Sequence, residues 1–285
     1  LGGDVIKGKN FEWSANFNIA FNRNKILSLG SDVLEQYAGN ISTGDAPFIQ
    51  VAGMPIGALY GYAEDGYYDN EAEVRSDPMY ANQSDAIIKR MIGEVKYRNL
   101  DNDPTSISVT DRTFIGNVNP DYTFGFTNNF KYGRFDLSVF VNGVQGNDIV
   151  NMNTRFNGNL GSFKNISYDM YETAWEAGKD NSEATGPKIM RQFWRNMLFS
   201  RRFIEDGSFV RIKNITLGYN VPGSFLKGVT SIRVAFGVNN LYTFTDYSGF
   251  DPEMNSYGDN PALFGVDLGG YPNARTYNLS IRCNF

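Results

Sequence analysis

Arg275-Thr276-Tyr277-Asn278-Leu279-Ser280-Ile281-Arg282-Cys283-Asn284-Phe285 alternates strictly and stops on an aromatic residue. Side chains of a strand point to opposite faces in turn. Tyr277, Leu279, Ile281, Cys283 and Phe285 therefore share one side, and Thr276, Asn278, Ser280, Arg282 and Asn284 the other. Alone, this strand fits the half-buried edge of a soluble sheet equally well. The pattern decides the fold because it recurs. Segments 11–21, 122–130, 135–141, 209–221 and 231–243 bring the total to six, each setting Phe, Trp, Ile, Leu or Val against Asn, Ser, Thr and Gly. A lipid-facing outside and a wet inside are written this way. The expected fold is all-β, an antiparallel transmembrane β-barrel with long loops.

The connections support that reading. Residues 131–134 and 222–229 are short joins, whereas 22–121, 145–208 and 245–273 are long. Outer-membrane barrels have short periplasmic turns and long extracellular loops. With Phe285 at the periplasmic rim, strand parity puts both short joins on that rim. Segments 56–68 and 93–100 look β-like, but the first mixes Gly57, Gly61, Glu64, Asp65 and Gly66 into its pattern, and both are expected as β structure within an extracellular loop. Segment 169–177, with Tyr171, Ala174 and Trp175 at helical spacing, is expected to form a short amphipathic helix.

Composition narrows the chemistry. The chain has 285 residues, 15% of them aromatic, and no apolar run near the ~20 residues of a membrane helix. A net charge of −5 provides no basic stripe for nucleic acid. Histidine is absent, which removes Ser-His-Asp and Cys-His catalysis and every His-containing metal site. The single Cys283 sits on the apolar face and reads as a small buried hydrophobe. The opening Leu1-Gly2-Gly3-Asp4 has neither the charged nor the apolar part of a signal peptide and is read as the continuation of a longer chain.

Several blocks carry a resemblance. They are Gly53-Met54-Pro55-Ile56-Gly57 with Tyr60-Gly61-Tyr62, then Asp111-Arg112-Thr113-Phe114-Ile115-Gly116-Asn117-Val118-Asn119-Pro120-Asp121-Tyr122. Gly207-Ser208-Phe209-Val210-Arg211-Ile212-Lys213-Asn214-Ile215-Thr216-Leu217-Gly218-Tyr219 follows. Tyr247-Ser248-Gly249-Phe250-Asp251-Pro252-Glu253 and Tyr271-Pro272-Asn273-Ala274-Arg275-Thr276-Tyr277 complete the set. In order and spacing these resemble the SusC/RagA-type TonB-dependent transporters of the Bacteroidetes outer membrane. The resemblance implies that residues 1–285 are the C-terminal part of a 22-strand-type barrel domain, its plug, TonB box and earlier strands lying outside this chain. It further implies outer-membrane localisation in a Gram-negative bacterium and uptake of oligosaccharides or peptides. TonB would supply the energy and a SusD-like surface lipoprotein would close over the barrel. The terminal Phe285 would then serve as the membrane-insertion signal.

The family often has a glycine-containing acidic loop before the Asp-Arg-Thr block. Here Asp101-Asn102-Asp103-Pro104 keeps the acids without the glycine, so Asp101 and Asp103 stand as a calcium candidate beside a plain solvated acidic turn. Tyr168, Tyr171, Trp175 and Trp194 fall in one long loop and are candidates for contact with substrate or lid, the alternative being loop self-packing. The acids Glu172, Glu176, Asp246, Asp251, Glu253 and Asp259 read as solvated loop carboxylates rather than a glycosidase pair. No catalytic residue and no cofactor is assigned. Ile232, Val234, Phe236 and Val238 should face lipid, with Arg233 and Asn239 on the lumen side. The strands are too few to close a barrel alone, so segments 11–21 and 275–285 are expected to be the outermost strands and to pair beyond this chain. A secreted sugar-binding or adhesin sandwich and a non-transporting anchor barrel are the competing readings.

Overall fold

The terminal alternation becomes a strand at the edge of a seven-stranded antiparallel sheet. The computed structural model describes residues 1–30, 32–39, 46–157, 165–189, 198–222, 228–258 and 260–284. In chain order the strands are β1 (Gly2–Lys7), β2 (Phe11–Ala20), β3 (Glu35–Ala38), β4 (Phe48–Val51), β5 (Ala58–Tyr62), β6 (Glu64–Tyr67), β7 (Val95–Tyr97) and β8 (Arg112–Asn117). There follow β9 (Tyr122–Tyr132), β10 (Phe135–Gln145), β11 (Asp148–Asn151), β12 (Ile204–Asp206), β13 (Phe209–Val221), β14 (Ser231–Thr245), β15 (Val266–Asp267) and β16 (Thr276–Asn284). The helices are short: α1 (Glu71–Ser76), α2 (Asp85–Met91), α3 (Met152–Asn157) and α4 (Tyr168–Thr173).

The large sheet runs β1-β2-β9-β10-β13-β14-β16. β9 and β10 form a hairpin around Gly133-Arg134, where Gly133 takes a φ of 55° that a side chain would strain. Register then aligns like with like. One row across six strands reads Trp13, Phe130, Leu137, Leu217, Phe236 and Leu279. The next row, on the other face, reads Ser14, Asn129, Ser138, Thr216, Gly237 and Asn278. Aromatic contacts knit the first face, with Trp13 and Phe130 at 5.8 Å and Phe135 and Tyr219 at 4.8 Å between ring centroids. Leu279 is 71% exposed and Ile281 66%, and Cys283 is exposed rather than buried because it too lies on the edge strand, so among the described residues no second sheet covers this face as a sandwich requires. Among the described residues the sheet is an open wall, not a closed barrel.

One expectation about the wall changes. A seventh strand, β1, pairs with β2 and displaces segment 11–21 from the outer edge. Gly2, Gly3, Asp4 and Lys7 hide it, and a register shift between Asp4 and Ile6 breaks its alternation. Asn128 lies on the apolar face beside Ala15 and Val139, where it accepts a hydrogen bond of 3.1 Å from the Trp13 indole.

The long connections are not loose loops. Phe48, Leu59 and Val118 from 22–121 pack with Val150, Met152, Phe199, Phe203 and Ile204 from 146–208 and with Val266 from 246–275 in one buried core. β3-β4-β5-β8 and β12-β11-β15 form the sheets around it, and β6 pairs with β7. The expected β structure in 56–68 and 93–100 is thus present as β5, β6 and β7. The three connections build a single cap on one rim of the wall.

Candidate functional site

The polar face of the wall carries a ladder of neutral groups. Ser138 donates to Asn129, Asn214 to Asn239 at 2.7 Å and Asn239 to Thr276 at 3.0 Å. Charge concentrates at the two ends. Near the short turns Glu12 faces Lys131 at 3.6 Å, and Arg233 binds Asp136 through Nε at 3.1 Å as well as through Nη2. That pair spans the intervening strand β13 directly above Gly218, where a Cβ would collide with both partners. A side chain at 218 would thus push aside the tips of Arg233 and Asp136 and disturb their ion pair, while the backbone conformation itself does not call for glycine.

At the cap end, Arg211 is 2% exposed and its guanidinium reaches Asp251, Glu253 at 2.6 Å and the Thr243 hydroxyl at 2.8 Å. Lys213 adds a second cation to Glu253 at 2.9 Å. The Asn273 amide donates to Asp251 at 3.0 Å. Burial pushes the Asp251 carboxyl up, but the hydrogen bond from Arg211 and the backbone N–H groups of Glu253 and Asn273 outweigh it and hold the group below the usual carboxylate range. Asp251 and Glu253 are therefore not the solvated loop acids expected from sequence: Asp251 is only 3% exposed, because β13 brings a guanidinium to it. Strict alternation would place Arg211 and Lys213 with Ile215 on the apolar side. A bulge between Ile212 and Asn214 inserts Lys213 and turns Arg211 to the polar face with Asn142 and Thr243. No pattern in the sequence marks that bulge.

The aromatic candidates separate. Tyr168 and Tyr171 are 72% and 64% exposed on α4. The helix ends at Thr173, earlier than expected, because Ala174 bridges to Gly186 and Trp175 turns inward. Trp175 is 6% exposed, donates its indole N–H to Asp69 at 2.8 Å and covers Gly93. It forms the floor of an open groove of about 810 Å³ whose walls include Asp65, Tyr67, Asp69, Glu73 and Asp180. Burial pushes the Tyr67 phenol up to about 12, so it is neutral there at any ordinary pH. Trp194, Asp259 and Phe285 lie outside the described residues.

Asp101 and Asp103 spend their oxygens locally. Asp103 accepts from the Thr105 amide at 3.0 Å and from the Ser106 hydroxyl at 2.8 Å, and Asp101 from the Asp103 amide at 2.7 Å. The buried Asp111 caps the same turn through the amides of Leu100 and Ser108, each at 2.7 Å. Among the described residues no group of three or more His, Cys, Asp or Glu is placed to hold a metal ion.

Comparison with known proteins agrees with this geometry. No protein-family profile matches the chain. Over 290 residues it is 33% identical to TonB-dependent receptor P3 of Formosa agariphila, a match covering 98% of this chain and 27% of the relative. TonB-dependent receptor SusC of Bacteroides thetaiotaomicron is 27% identical over 98% of this chain and 25% of its own length. The solved structure of the RagAB peptide transporter superposes over the whole chain with a TM-score of 0.71 at 24% identity, using 28% of that chain, and shares the fold. The chain thus spans about a quarter of the length of the relatives it matches. A wall with one apolar and one polar face, capped on one rim, is thus similar along its whole length to about a quarter of the SusC/RagA-type TonB-dependent receptors, which are β-barrel proteins of the Bacteroidetes outer membrane.

Proposed function

We propose that this chain is the C-terminal part of the barrel domain of an energy-coupled importer that takes up oligosaccharides or peptides. The observation that carries the reading is the two-faced wall, whose neutral amide and hydroxyl ladder is the lining a hydrated passage across lipid would need. TonB would act on the plug, and a SusD-like lipoprotein would close over the cap. The RagAB structure bears the name of a peptide transporter, and SusC that of a receptor, which supports import without choosing the cargo. Transport, not catalysis, is the role assigned to this wall. Tyr168 and Tyr171 are the exposed aromatics proposed to meet the lid or cargo, while the buried Trp175 holds its part of the loop against Asp69 and Gly93, and Trp194 belongs to the same loop in sequence.

The test is uptake. Cells carrying the full-length protein should accumulate a labelled oligosaccharide or peptide pool, and removal of either the protein or TonB should abolish it. Accumulation that survives both removals would refute import.

A further inference from the structure

Three of the sequence blocks that carry the family resemblance converge on one cluster. Arg211 and Lys213 come from 207–219, Asp251 and Glu253 from 247–253, and Asn273 from 271–277. Arg211 lies on the polar face, in register with Asn142 and Thr243. The connection 246–275 leaves β14 and immediately folds back over that face, since Asp251 and Glu253 both reach Arg211. Its other end is pinned to the same cluster, because Asn273 donates to Asp251 through its amide and to Glu253 through its side chain at 3.3 Å. The middle is fastened separately. β15 pairs with β11, Val266 enters the shared cap core, and Tyr247 donates to Asp267 at 2.7 Å in a buried contact.

We propose that 246–275 is a fixed sill turned inward over the barrel mouth, with Arg211 as the positioning residue that holds it, so that this segment limits the size of cargo admitted. The physical reason is burial. Swinging the segment outward would part a guanidinium that is 2% exposed from both of its carboxylates, leaving it only the Thr243 hydroxyl, and would part the 3%-exposed Asp251 from its cation. A connection left free to follow solvent would need no such cluster. The proposal rests on the import reading for its purpose, though not for its geometry.

Thiol labelling from outside intact cells tests it on the full-length protein. Cys283→Ser removes the thiol of this chain, any cysteine elsewhere in the full-length protein is likewise replaced by serine, and Thr216→Cys places a single new thiol on the polar face below Arg211. With the sill in place, N-ethylmaleimide should label residue 216 at least about tenfold faster than a bulky polyethylene-glycol maleimide. Arg211→Met should raise the bulky-reagent rate severalfold and leave the small-reagent rate nearly unchanged, since local release opens the mouth without unfolding the wall. Heat-modifiable migration of the barrel checks that the variant is folded. If Arg211→Met fails to assemble, Lys213→Met, which loses only the outer ion pair, should give a smaller rise of the same sign. A folded variant with an unchanged bulky-reagent rate, or equal rates of both reagents with the lock intact, overturns the sill. Failure of even the small reagent to reach residue 216 in the released variant also counts against it, because something else then covers the wall. Labelling needs no TonB, so loss of the import reading would show only in uptake.

Discussion

Substituting Val238 by lysine puts a charge where the structure least tolerates one. Val238 is in register with Ile215 on β13, and Ile215 with Val139 on β10. Val139 stands four positions along its strand from Phe135, the first residue after the hairpin turn. At ~3.4 Å per residue and a strand tilt of ~40°, this row lies ~10 Å above the aromatic rim, close to the middle of an apolar band ~25 Å tall. Lysine at that depth on the lipid side should cost about 2–4 kcal/mol, a loss of roughly 30-fold to 1,000-fold in the folding equilibrium. Asn278→Lys, on the neighbouring polar row of β16, should stay within about 0.5 kcal/mol. Denaturant titration of the full-length protein refolded into liposomes gives both values under one condition. Equal destabilisation, or a larger loss for Asn278→Lys, would reverse the facing and with it the reading of the sheet as a membrane wall.

Other consequences are local. Tyr168→Ala and Tyr171→Ala should each weaken co-purification of the lid lipoprotein by ~1–2 kcal/mol if they are anchors, and an unchanged pull-down with both removed ends that role. Trp175→Ala deletes a buried ring packed on Gly93 and should cost the cap about 3–5 kcal/mol, read as faster proteolysis of 65–73 and 175–184. Because the Asp251 carboxyl is held below its ordinary value in the folded state, its contribution is complete above the usual range of ~3.9 and is lost as pH falls through the lowered value. Amide exchange of 246–275 should therefore stay slow from pH 7 to 5 and accelerate only at stronger acid. Acceleration already at pH 6 would contradict the lock. Deleting Phe285 should lower the amount of inserted protein while leaving uptake per inserted molecule unchanged, and the opposite pattern would refute an assembly role.

Much of the wall was legible in the chain because a strand's period of two is local. Tyr277, Leu279 and Ile281 reveal their common face without any neighbour, and Gly133-Arg134 reveals its turn from glycine's freedom at positive φ. What the sequence by itself determined, then, is a set of two-faced strands, the apolar and polar residues that share each face, and the alternation of short and long joins. Only tertiary structure decided the rest. The bulge at Lys213 is a mismatch between strands, so Arg211 changes face for a reason held by β10 and β14 rather than by β13. Asp251 and Glu253 look like loop acids until a guanidinium some 40 positions earlier buries one of them. The cap core draws Phe48, Phe199 and Val266 from three separate connections, none of which has enough apolar surface in one period to announce a fold. Hydrophobic periodicity reports what a segment does to its own faces. Charge pairing across a bulge and burial shared among distant loops depend on which segments meet, and that is fixed only when the strands between them have paired.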